Sequence, residues 1–92
     1  MGPIETAINQ KLTEAFSPTV LEVSNDSESH RGHAGYTDGE SHFSALIVSD
    51  NFNGCNRVKR QRMVYAALGD MMKEDIHALQ IKAITEDEWQ GQ

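Results

Sequence analysis

The sequence has one cysteine in 92 residues, Cys55, so no intrachain disulfide can form and a reducing compartment, the cytoplasm, is the expected setting. No run approaches the roughly 20 apolar residues of a membrane helix, so no membrane partner is expected. The start, Met1-Gly2-Pro3-Ile4-Glu5, lacks the basic opening and apolar stretch of a signal peptide and the Arg-rich bias of a transit peptide. Gly2 with Thr6 formally fits a myristoylation pattern, but Pro3 and an amphipathic helix beginning at once argue against it. Catalytic signatures are missing too: there is no Gly-x-Ser-x-Gly, no P-loop and no His-Glu-x-x-His. Acidic residues are plentiful but scattered where a solvated surface would place them, so a non-enzymatic role is expected. A zinc hydrolase on His30 and His33 would rest on a glycine-rich loop, which is a poor rigid set of ligands.

Positive charge is also scarce. The formal net charge of -6 argues against general affinity for nucleic acid or anionic membranes. Yet four of the eight Lys and Arg residues, Arg57, Lys59, Arg60 and Arg62, fall within six positions, so any anion-binding face belongs there. Cations at a helix start oppose the macrodipole, so helix stability does not explain them. They read either as a solvated face, or as docking for an acidic or glutathione-bearing partner, or as contacts to nucleic acid phosphates.

What is present reads as one α+β domain over residues 1–92. Ile4, Ala7, Ile8, Lys11, Leu12, Ala15 and Phe16 recur at helical spacing, with Pro3 in the first turn and Ser17-Pro18 as the stop. Leu21 and Val23 alternate with Glu22 and Ser24 in a short strand over 19–25. Residues 26–40 hold no large aliphatic side chain and predict a long, flexible loop, closed by the turn signal Asp38-Gly39. Ser41 to Asp50 predicts a central strand. After a turn over 51–56, Arg57 to Glu74 predicts a helix buried along Val64, Ala67, Leu68, Met71 and Met72, with Gln61 on the same stripe. Ile76 to Thr85 predicts a third strand, in which His77 shares parity with Leu79, Ile81 and Ala83. Thr85 and Glu88 form a capping-box pattern for a last helical turn, with Trp89 available to fold back. The order α-β-β-α-β implies an antiparallel pair followed by a helical crossover. The expected result is a three-stranded mixed sheet covered by helices on one face.

Leu21-Glu22-Val23, Ser41-His42-Phe43, Val48-Ser49-Asp50, Phe52-Asn53-Gly54, the run from Arg60 to Tyr65, His77-Ala78-Leu79 and the run from Thr85 to Trp89 together resemble the BolA family over nearly the whole chain. The resemblance implies a type II KH-like fold. It also implies partnership with a monothiol glutaredoxin through a shared [2Fe-2S] cluster and the partner's glutathione, in iron-sulfur trafficking or iron sensing. The isolated chain would hold no cofactor and would be a monomer. His77 matches the family's cluster histidine. The second ligand comes from the loop between the first two strands, where His30 matches better by position after Asn25-Asp26-Ser27 and His33 competes because the loop looks longer. With no cysteine in that loop, the chain resembles the histidine-loop branch. It departs from the family at Gln61, where the family usually has histidine between two arginines; that residue is not a family cluster ligand.

The residues themselves add an independent argument. A [2Fe-2S] centre needs four ligands, usually thiolates, with histidine able to replace two on one iron. One cysteine and four histidines cannot hold it alone, so the shortage points to a complex. Histidine ligands would also make binding weaken as pH falls toward about 6.5. By position alone, His77 reads either as a ligand or as a core histidine satisfied by a backbone carbonyl, and His42, at a strand start, reads as structural. The alternative function is DNA-binding transcriptional regulation through the basic helix 57–74. Against it, the turn before that helix holds Gly54 alone and not the Gly-x-x-Gly that clamps nucleotides in KH domains, and few aromatics are available for base stacking.

Overall fold

The computed structural model describes residues 2–25 and 42–91; the expected loop at 26–40, with His30 and His33, lies outside the described residues. The element order is α1 (Pro3–Phe16), β1 (Val20–Asn25), β2 (His42–Val48), a 3-10 turn (Asp50–Phe52), α2 (Arg57–Leu68), α3 (Met71–Glu74), β3 (Ala78–Ile84) and α4 (Glu86–Gln90). The strands form one mixed sheet in the order β1-β2-β3. β1 runs antiparallel to β2, with Val20 opposite Val48 and Asn25 opposite Phe43. β3 runs parallel to β2, with His42 opposite Ala78 and Val48 opposite Ile84. The expected α+β architecture is therefore the observed one.

Register explains the one-sided core. Leu21 faces Ile47, which faces Ala83; Val23 faces Ala45, which faces Ile81; and Phe43 faces Leu79. A strand alternates faces with period two, so these residues share one surface of the sheet. Against it pack Ile8, Leu12 and Phe16 of α1 with Val64 and Leu68 of α2. Phe52 closes the layer, fully buried, its ring centroid 4.9 Å from that of Phe16. The end of α1 is tied to the end of β2 by Ser49, which is buried and donates its hydroxyl to the Phe16 carbonyl at 2.7 Å. The same hydroxyl oxygen accepts from the Asn51 N–H at 3.1 Å.

The long helix expected from Arg57 to Glu74 is two helices. α2 stops at Gly69, whose φ of 58° is left-handed and whose N–H donates to the Tyr65 carbonyl. Glycine alone enters that backbone region without a side-chain penalty, so the chain bends there. Met71 is nonetheless buried in the short α3, so the apolar stripe continues across the break. The third strand is also shorter than expected, starting at Ala78, which leaves His77 outside the ladder.

Candidate functional site

Because β2 and β3 are parallel, both begin at the same end of the sheet. His42 is the first residue of β2, and His77 immediately precedes β3. Their rings lie 5.1 Å apart between centroids, with planes tilted by 31°. His77 is exposed and His42 is partly exposed. The reading of His77 as a core histidine therefore fails: its parity with Leu79 is that of the buried face, but it stands before the ladder, where the ring reaches solvent. Its backbone is held on the preceding side, where the N–H of buried Ile76 donates to the Met71 carbonyl at 2.9 Å. An open groove of about 540 Å³ runs beside it, lined by Ile4, Met72, Glu74 and Asp75 among others.

β1 ends at Asn25, opposite Phe43, so both attachment points of residues 26–41 are at this same end. His30 is five residues from Asn25 and His33 nine from His42, tethers of at most about 18 and 32 Å. Chain length thus permits either loop histidine to reach His77, while their own positions lie outside the described residues.

The cationic residues occupy the other end. α2 carries the chain back along the sheet, so its first turn sits near the close of β3, six residues and about 20 Å from His77. Asn56 caps the helix by accepting from the Lys59 N–H at 2.8 Å. Arg57, Lys59 and Arg62 are exposed, but Arg60 is not free for docking as the sequence reading expected. Its side chain is 14% exposed. Nε donates to the Cys55 carbonyl at 2.9 Å, and Nη1 donates to the Ala83 carbonyl at 3.1 Å and to Glu88 Oε1 at 2.7 Å. Arg60 thus ties the start of α2 to the end of β3 and to α4, a structural task that explains one of the four cations.

Glu88 completes the capping box of α4. Its Oε1 accepts from the Thr85 N–H at 2.7 Å, and its own N–H donates to Thr85 Oγ1 at 3.2 Å. The Thr85 N–H, followed by the Arg60 side chain, holds the Glu88 carboxyl below its usual value of 4.5. Thr19 of the preceding segment donates its hydroxyl to Glu86, which joins α4 to the start of β1. Between α2, β3 and α4 lies a cleft of about 640 Å³ lined by Arg57, Gln61, Ile81 and Lys82 among others. Cys55 is at this end, its Sγ 3.8 Å from the Asn53 carbonyl oxygen, well away from the histidines.

The structure therefore brings His77 together with His42 and separates both from Arg57, Lys59 and Arg62. His42 was read as structural from its place at a strand start. The available signal was the parallel crossover: two strands that begin Ser41-His42-Phe43 and Ile76-His77-Ala78 must set those histidines at one end.

Residues 12–88 match the model of a family described as BolA-like protein. The chain belongs to the BolA-like protein family. It is 44% identical over 89 residues to BolA-like protein 1 of Homo sapiens, covering 97% of this chain and 63% of that one. It is 40% identical over 88 residues to the DNA-binding transcriptional regulator BolA of Escherichia coli (strain K12), covering 96% of this chain and 81% of that one. Among solved structures, the BolA domain of SufE1 from Arabidopsis thaliana superposes with a TM-score of 0.85 at 43% identity, covering 96% of this chain and 98% of that one. The chain thus spans less than two thirds of the length of the human BolA-like protein 1 it matches. Within this BolA-like fold, the imidazoles stand at one end of the sheet and the exposed cations at the other.

Proposed function

We propose that this BolA-like chain is a non-catalytic adaptor for a monothiol glutaredoxin. It would contribute histidine to a [2Fe-2S] cluster bridging the two proteins, with glutathione on the partner's side, in cytoplasmic iron-sulfur trafficking or iron sensing. The observation that carries this reading is the exposed imidazole of His77 at the mouth of β3, on the end of the sheet from which residues 26–41 depart. The donor set fits half of a site. Among the described residues no three metal-ligating side chains gather, and the one cysteine is at the opposite end. A partner's thiolates would therefore have to complete the four ligands.

The cluster, when bound, supplies one-electron chemistry and a transferable iron-sulfur unit. The chain's own part is to present a neutral imidazole at a fixed place. Ile76, buried and hydrogen-bonded to Met71, holds the backbone before His77, and the β2–β3 ladder holds it after. A ligand carried at a strand end is positioned more rigidly than one on a loop. His30 or His33 is proposed as the second imidazole. Arg57, Lys59 and Arg62 are proposed as a docking surface; a partner that used both ends would have to lie along β3.

The test is to mix the protein anaerobically with a glutathione-loaded, cluster-bearing monothiol glutaredoxin and follow visible absorption and circular dichroism. Wild type is expected to change the spectrum and His77→Ala to leave it as the glutaredoxin alone. No change with wild type would refute cluster sharing.

A second reading is DNA binding through the exposed Arg57, Lys59 and Arg62, favoured by the name of the Escherichia coli relative, DNA-binding transcriptional regulator BolA. Each phosphate neutralised steepens the dependence of log affinity on log salt by about 0.9. Under this reading, removing the three cations flattens that slope, while His77→Ala leaves it untouched.

A further inference from the structure

We propose that His42 is a direct metal ligand alongside His77, so that the strand mouth itself holds a two-imidazole half-site for a late or borderline transition metal ion. Use of that half-site for an iron of a shared cluster rests on the function proposed above, with His42 in the place which that reading gives to His30 or His33; the existence of the pair as a chelate does not.

The argument starts from register. His42 lies on the open face of the sheet, with Ser44 and Leu46, whereas His77 follows the parity of Leu79 and Ile81. Two residues of opposite parity on neighbouring strands do not normally meet. They meet here because His77 stops short of the ladder, one position before the Ala78 that pairs with His42. The centroid separation of 5.1 Å is set by two strand starts and not by a loop.

That separation suits chelation. Two nitrogens bound to one tetrahedral metal at about 2.1 Å each stand roughly 3.4 Å apart. With about 1.1 Å more from each nitrogen to its ring centre, two rings so bound have centroids about 5 Å apart, and those of His42 and His77 are 5.1 Å apart. The 31° tilt leaves the rings oblique to each other, and chelation would require side-chain torsions that aim one nitrogen of each at a common point. Imidazole suits zinc, copper, nickel and iron. Two imidazoles on one iron are an established pattern for [2Fe-2S] centres. His77 is exposed and His42 partly so, so water or a partner's ligands would fill the remaining positions on the metal.

Zinc is the probe for the isolated chain, with the imidazole nitrogens followed by NMR. Ligation predicts that the His42 and His77 ring signals move together as zinc is added. His42→Phe keeps a ring against His77 but offers no donor, and His42→Cys offers a donor but no ring. Ligation predicts that the Phe variant loses the zinc-induced shift of His77 at concentrations that saturate wild type, and that the Cys variant keeps it. If His42 merely positions His77, the Phe variant retains the shift and the Cys variant loses it, which overturns the proposal. Equal loss in His30→Ala or His33→Ala with no loss in His42→Phe overturns it as well, as does failure of wild type to bind zinc.

A second arm uses the glutaredoxin complex. Nitrogen hyperfine couplings of the reduced cluster are expected to fall from two histidines to one in His42→Cys. An unchanged spectrum for His42→Phe removes His42 from the cluster. Zinc chelation in a chain that shares no cluster would sink the proposed function and leave the two-histidine half-site standing.

Discussion

Replacing Arg60 separates a structural cation from a docking one. In the folded protein its guanidinium is 14% exposed and serves two backbone carbonyls, Cys55 and Ala83, besides Glu88. Hydrogen bonds from a charged donor contribute about 1.5–3 kcal/mol each, and water reaching the vacated carbonyls returns part of that. The Glu88 end is half exposed and adds little. Arg60→Ala is therefore expected to cost about 2–3 kcal/mol. In a domain of this size, that lowers the melting temperature by roughly 10–20 °C. The assay is urea unfolding at neutral pH with Arg57→Ala, Lys59→Ala and Arg62→Ala beside it, since those exposed side chains should shift the midpoint little. Arg60→Lys should recover only part of the loss, because one ammonium cannot reach three acceptors in the fork geometry. The reasoning is refuted if Arg60→Ala unfolds at the wild-type midpoint while weakening binding to glutaredoxin or DNA as strongly as Arg62→Ala.

Three further outcomes follow from the same geometry. The Glu88 carboxyl is held below 4.5 in the folded state, so its contribution is present above pH 4.5 and lost as pH falls through the lower folded value. Glu88→Gln should therefore narrow the stability gap between pH 7 and pH 3, and an unchanged gap would show that the capping box does not report on that carboxylate. Phe52→Ala empties a fully buried site beside Phe16 and should cost about 3–5 kcal/mol, read from urea midpoints; a loss under 1 kcal/mol would mean that the layer collapses to fill it. Gly69→Ala meets no neighbouring atom but must adopt a φ of 58° with a ψ of -128°, so about 1–3 kcal/mol is expected from backbone strain alone. Equal stability of glycine and alanine there would show that the bend relaxes.

Most of the fold was legible because burial writes itself into spacing. α1 ends where Ser17-Pro18 says it must, and the strand parities of Leu21, Val23, Phe43 and Ile47 are those of the buried face. The break at Gly69 was missed because the apolar stripe runs on through Met71, so periodicity and backbone geometry disagree there. His77 was legible as a residue of interest but not as an exposed one, since parity does not reveal where a ladder begins. The clamp role of Arg60 was hidden for a different reason: its acceptors, Ala83 and Glu88, are more than twenty residues away in sequence. His30 and His33 belong to a segment whose composition carries no packing signal at all.

The length of β3 has a consequence for how such a protein is occupied. About 20 Å of strand separates the imidazole end from the exposed cations, roughly two and a half Debye lengths at physiological salt, at about 8 Å each. Charge added at one end is therefore felt weakly at the other. Were a metal-bearing protein held at the histidines alone, Arg57, Lys59 and Arg62 would stay open to a second, polyanionic molecule. The two occupancies would then add in free energy instead of competing.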